Sequence, residues 1–141
     1  MCPVRIGFTK VNNIIVVVVM LLMTIVATGC GPTGEVRLDM ADNGLQIEVE
    51  VDQTLVISLE SNPTTGFGWE LVELEDPILQ LMGEAEFQPS ESKEIVGAGG
   101  TEIFRIKAVS TGQTTLTLVY RRSWEEGVEP LETFRLNVIV H

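Results

Sequence analysis

Apolar residues recur in this chain at every second position, in run after run, and that period limits the fold more than any other feature. Leu45, Ile47, Val49 and Val51 alternate with Gln46, Glu48 and Glu50, and Leu55, Ile57 and Leu59 with Ser58 and Glu60. Phe104, Ile106 and Ala108 alternate with Arg105 and Lys107; Leu116, Leu118 and Tyr120 form another run, and Phe134, Leu136, Val138 and Val140 close the series. Side chains leave a strand alternately on two faces, so such runs fold as antiparallel strands with one face against a core. Asp42-Asn43-Gly44 suits a tight hairpin turn, because Asn and Gly tolerate positive φ, and Asp52-Gln53 and Ser110-Thr111-Gly112-Gln113 separate further strands. About six to eight short strands at this spacing predict an all-β protein, an antiparallel β-sandwich. Residues 77–87 are ambiguous, since Ile78, Leu79, Leu81 and Met82 suit a helical turn or an edge strand equally well.

The amino-terminal residues read differently. Arg5 and Lys10 are the only formal charges among the first 29 residues, and an apolar stretch from 14 to 27 precedes Ala27-Thr28-Gly29-Cys30. A basic start, a short apolar run and small residues make an export signal over 1–29. The run of about 14 residues is shorter than the ~17–25 of a spanning helix. The segment resembles a prokaryotic lipobox, with Ala27 where leucine is common. That resemblance implies cleavage before Cys30, acylation of its thiol and a membrane-anchored lipoprotein at the cell surface or in a periplasm. Residues 30–34 are then the lipidated cysteine and a short linker, and 35–141 the folded domain. Of the 9 basic residues, Arg5 and Lys10 leave with the signal, so seven face 20 acidic ones, a net charge of −13 against −11 for the whole chain. Such a surface repels nucleic acid.

Catalytic chemistry has little to work with. The only histidine is His141, the last residue, so a Ser-His-Asp or Cys-His arrangement lacks a positioned base. There is no Cys/His spacing for zinc, and Asp39, Asp42 and Asn43 lack the every-second-residue ligand pattern of a calcium loop. Gly97-Ala98-Gly99-Gly100 is followed by no Lys-Ser/Thr and opens no helix, which excludes a phosphate loop. No enzyme, cofactor or metal is expected.

Three segments break the alternation: residues 61–68, 88–100 and 121–130. The first contains Asn62-Pro63-Thr64-Thr65-Gly66-Phe67-Gly68-Trp69. Pro63 fixes its own φ and biases Asn62 toward an extended shape, while Gly66 and Gly68 permit a sharp return. The result is a stiff, narrow loop with Thr64-Thr65 at its tip and Phe67 and Trp69 anchoring its base. Gly97, Gly99 and Gly100 let the second segment lie flat against a partner. The third holds Tyr120-Arg121-Arg122-Ser123-Trp124, and an exposed Arg and Trp are the types enriched among interface hot spots.

Taken in order, NPTTGFGW, GAGG and YRRSW resemble the chagasin-type inhibitors of cysteine peptidases, over about residues 35–140. The resemblance implies an immunoglobulin-like sandwich whose three loops form a wedge at one end. It implies a monomeric, reversible, tight-binding inhibitor whose wedge fills the cleft of a papain-like cysteine peptidase. Asn62, Pro63, Thr64, Thr65, Gly66 and Phe67 would supply the central edge, with Thr64 and Thr65 nearest the catalytic cysteine. Gly97, Gly99 and Gly100 would line one side of the cleft and Arg122 and Trp124 the other. Ser123 departs from the family's usual proline and implies a looser third loop. A non-inhibitory adhesion or scaffolding module would use the same sandwich without entering any active site.

Overall fold

The computed structural model describes residues 34–72, 74, 77–91 and 99–141. The export signal at 1–29, Cys30, most of the linker at 30–34 and Gly97 lie outside the described residues.

Nine strands form two sheets among the described residues: β1 (Glu35–Leu38), β2 (Gln46–Val49), β3 (Thr54–Ser61), β4 (Gly68–Leu71), β5 (Leu79–Leu81), β6 (Glu86–Pro89), β7 (Gly100–Ala108), β8 (Gly112–Arg121) and β9 (Glu132–Val140). One sheet runs β1-β3-β7-β5, with β6 also on β7; the other runs β2-β9-β8-β4. The strands with the clearest alternation are the central ones. Leu55, Ile57 and Leu59 of β3 and Phe104, Ile106 and Ala108 of β7 face Leu116 and Leu118 of β8 and Phe134, Leu136, Val138 and Val140 of β9, all buried in one cluster. Period two put these side chains on the inner faces, and burial of their apolar surface drives the sheets together.

Two expectations change in detail. The sandwich is not wholly antiparallel: β1 pairs with β3, and β2 with β9, in parallel. Asp42-Asn43-Gly44 is no hairpin turn either. Met40–Asp42 form a short 3-10 turn with Asp39 at its N-cap, and the chain passes there from one sheet to the other. The Asp39 carboxylate accepts from the Ala41 N–H at 2.7 Å, a local bond that competes with a two-residue hairpin. Residues 77–87 resolve toward strand: β5 lies along the 106–108 stretch of β7, and β6 along 100–103.

The register places the three irregular segments. β3 runs antiparallel to β7 with Ser61 opposite Gly100, and β8 antiparallel to β9 with Tyr120 opposite Glu132. β4 leaves Gly68 opposite Arg121. The connections β3–β4, β6–β7 and β8–β9 therefore emerge together at one end of the sandwich.

Candidate functional site

Residues 62–67 rise between the last residue of β3 and the first of β4. Pro63–Thr65 form a single 3-10 turn with Asn62 at its N-cap. The Asn62 side-chain oxygen accepts from the Thr64 N–H at 3.3 Å and from the Thr64 hydroxyl at 2.6 Å. The Thr65 hydroxyl donates to the Asn62 carbonyl at 2.6 Å, and the Gly66 N–H to the Pro63 carbonyl at 3.0 Å. Both threonine hydroxyls of the expected tip are thus committed within the loop, which stiffens it. Gly66 ends the turn at φ 82°, the left-handed region a glycine enters without penalty.

The base of the loop is fastened to the sandwich. The Asn62 N–H donates to the Tyr120 hydroxyl at 3.0 Å, and the Trp69 indole N–H to the Glu60 carbonyl at 2.9 Å. Trp69 is buried, and Phe67, half-buried, stacks on Tyr120 with ring centroids 5.5 Å apart. Phe67 and Trp69 anchor the base as their types suggested.

The third connection packs against the first. Arg122 lies over the Phe67 ring, 4.4 Å from its centroid, and its Nε donates to the Thr65 carbonyl at 3.1 Å. Its other arm meets Glu125 at 3.1 Å. Both partners of that ion pair are about a third exposed, so it adds roughly 0.2–1 kcal/mol; its use is to orient the guanidinium. Trp124 is 67% exposed, yet one edge of its ring covers Gly66, where a Cβ would lie 2.4 Å from it. Arg122, Trp124 and the 62–67 loop therefore form one continuous ridge. Phe67, Arg122, Glu125, Val128 and Leu131 line a small hollow behind it.

The glycines of the second segment do something the sequence did not suggest. A Cβ at Gly99 would lie 2.8 Å from the Ser61 carbonyl oxygen, and one at Gly100 would lie 2.2 Å from the Gln88 carbonyl oxygen and 2.6 Å from the Phe87 ring. These residues are small because neighbouring backbone passes against them, whatever else they meet. Gly100 already belongs to the ladders of both β3 and β6. Next to this segment, the Gln88 side chain and the Arg105 guanidinium hold the exposed Glu86 carboxyl below its usual range.

Among the residues singled out in sequence, Asn62, Pro63, Thr64, Thr65, Gly66, Phe67, Gly99, Gly100, Arg122 and Trp124 converge on this end. Tyr120 and Glu102 were missed, although both hold the loop's stems. Glu102 left a signal, being an acid in phase with Phe104, Ile106 and Ala108. Among the described residues no group of three His, Cys, Asp or Glu side chains could hold a metal ion.

The β-sandwich thus gathers a self-bonded turn, a glycine edge and an exposed Trp at one end, the arrangement of a loop-presenting binding protein. More particularly, the chain belongs to the chagasin family of cysteine protease inhibitors: the family described as chagasin family peptidase inhibitor I42 matches residues 48–138. It is 37% identical to chagasin of Trypanosoma cruzi over 91 residues, 62% of this chain and 82% of that one. It shares the fold of the Leishmania mexicana ICP, at 34% identity and a TM-score of 0.55 over 71% of this chain and 90% of that one. A crystal structure of EhICP2, a cysteine protease inhibitor from Entamoeba histolytica, superposes with a TM-score of 0.69 at 24% identity, covering 77% and 96% of the two chains.

Proposed function

We propose that the ridge of residues 62–67, with Arg122 and Trp124 beside it, enters the substrate cleft of a papain-like cysteine peptidase and blocks it reversibly, while Gly97, Gly99 and Gly100 meet the enzyme along the other side of the cleft. The observation that carries this reading is the 62–67 turn. Its polar groups are bonded within the loop and to Tyr120, so little conformational freedom is lost when it is bound. A 3-10 turn closed by a left-handed glycine is also not an extended peptide, which is the form a peptidase cleaves. Thr64 and Thr65 stand nearest the catalytic cysteine and Trp124 rests on an aromatic surface of the enzyme. Three such edges suffice for a total interface of roughly 1,600 Å².

Titration of papain with the domain tests the reading. Stoichiometric, reversible loss of activity is expected, together with binding of the domain that prior occupation of the cleft by a small covalent active-site ligand weakens. No inhibition at micromolar concentration would overturn it.

The domain works as a monomer, carried outside the cytoplasm. The basic-apolar segment before Cys30 supports cleavage of 1–29, acylation of Cys30 and attachment to a membrane, with 35–141 as the inhibitory domain. Mass spectrometry of the purified protein's first residue decides this: an acylated Cys30 is expected, and an unmodified Met1 would refute it.

A further inference from the structure

Glu102 stands on β7 in phase with Phe104, Ile106 and Ala108, so its side chain leaves the strand on the inner face of the sandwich. An ionisable group there is costly unless its oxygens are bonded. Both are. Oε1 accepts from the Ser61 hydroxyl, and Oε2 accepts from the Trp69 backbone N–H at 3.1 Å. Ser61 is the last residue of β3, in one sheet, and Trp69 follows Gly68 in β4, in the other. These strands are the two stems of the 62–67 loop. One half-buried carboxylate therefore ties both stems together from behind, across the gap between the sheets.

We infer that Glu102 is a positioning residue for inhibition: it sets the separation of the stems and so holds the 62–67 turn in its binding shape. The inference rests on the proposed role of that turn. Other fastenings share the work: Tyr120 bonds the Asn62 N–H and packs against Phe67 and Trp69, and the Trp69 indole bonds to the Glu60 carbonyl of β3. Among these, Glu102 alone bonds both Ser61 and the Trp69 backbone, the residues nearest the turn. Glu102 itself stays behind the turn and acts through it. Without the carboxylate the stems lose the tie nearest the turn, and part of the turn's order must be supplied at the moment of binding.

Glu102→Leu keeps an inner-face side chain of similar size and removes both acceptors; Glu102→Gln retains an acceptor for Trp69 and a polar partner for Ser61. Ser110→Ala deletes a bond to the Pro77 carbonyl (2.7 Å) at the opposite end and serves as the control. Each protein is measured for melting temperature, for amide exchange of Thr64, Thr65 and Gly66 in the free state, and for inhibition of papain. Glu102→Leu should stay folded, exchange faster in the turn and inhibit about tenfold or more weakly, chiefly through faster dissociation. Glu102→Gln should restore both readouts, and Ser110→Ala should alter neither. If Glu102→Leu does not fold, Ser61→Ala carries the test in the same direction. Unchanged exchange and inhibition in the folded variant overturn the inference, as does a loss shared equally by Ser110→Ala. Failure of the unsubstituted protein to inhibit papain would instead strike the proposed function, leaving the exchange rates to judge Glu102.

Discussion

At Gly66 two requirements meet in one residue. Its φ of 82° excludes most side chains, and the Trp124 ring lies where a Cβ would be. Gly66→Ala should therefore cost about 1 kcal/mol of stability from the backbone alone. Its effect on papain inhibition should be larger, since the substitution displaces Trp124 as well as the turn. Comparing thermal melts with inhibition constants checks the difference. Trp124→Ala separates the same quantities more sharply. With the ring 67% exposed, stability should barely move, while binding weakens by about 2 kcal/mol or more. An unchanged inhibition constant would remove Trp124 from the site. Asn62, Pro63 and Gly66 were readable in the sequence because a cap, a fixed φ and a positive φ are local demands, written in adjacent residues. The partners of Tyr120 and Glu102 were not, although Tyr120 opens the YRRSW segment and Glu102 is an acid in phase with apolar residues. Those partners, Asn62 and Trp69, lie 58 and 33 residues away, and only the folded register brings them together.

Among the elements, the β8–β9 connection shows how a departure from the family's pattern is accommodated. The Glu125 N–H donates to the Arg122 carbonyl at 3.1 Å, closing a turn with Ser123 at its second position. Proline is favoured at that position because its ring presets φ. Serine leaves the turn intact but gives the unfolded chain more freedom. Ser123→Pro should raise stability by about 0.4–1 kcal/mol and slow dissociation from papain; a lower melting temperature would show that the turn here differs from the one proline prefers. The strands show the limit of periodicity. Alternation told which face of β3, β7, β8 and β9 is buried, but it carries no information about which strand lies beside which. The parallel pairing of β1 with β3 and of β2 with β9 therefore could not be read. The apparent hairpin at Asp42-Asn43-Gly44 failed for a related reason: turn residues mark a change of direction, and the Asp39 cap turns the chain out of its sheet.

For the whole molecule, the proposed function puts stability and inhibition in different places. Phe134, fully buried between the sheets, is remote in role from the ridge of Arg122 and Trp124. Phe134→Ala should cost about 3–5 kcal/mol, visible in the urea midpoint, while the fraction that remains folded inhibits papain normally. A fall in the affinity of that folded fraction would mean that the core and the ridge are coupled. The parallel lie of β1 on β3 has one more consequence. Glu35 pairs with Thr54, where β3 begins, whereas the ridge rises where β3 finishes at Ser61. Gly34 therefore stands at the pole opposite the ridge. If that terminus is held to a surface, as proposed, the ridge is the end of the domain that an enzyme could reach without meeting the surface.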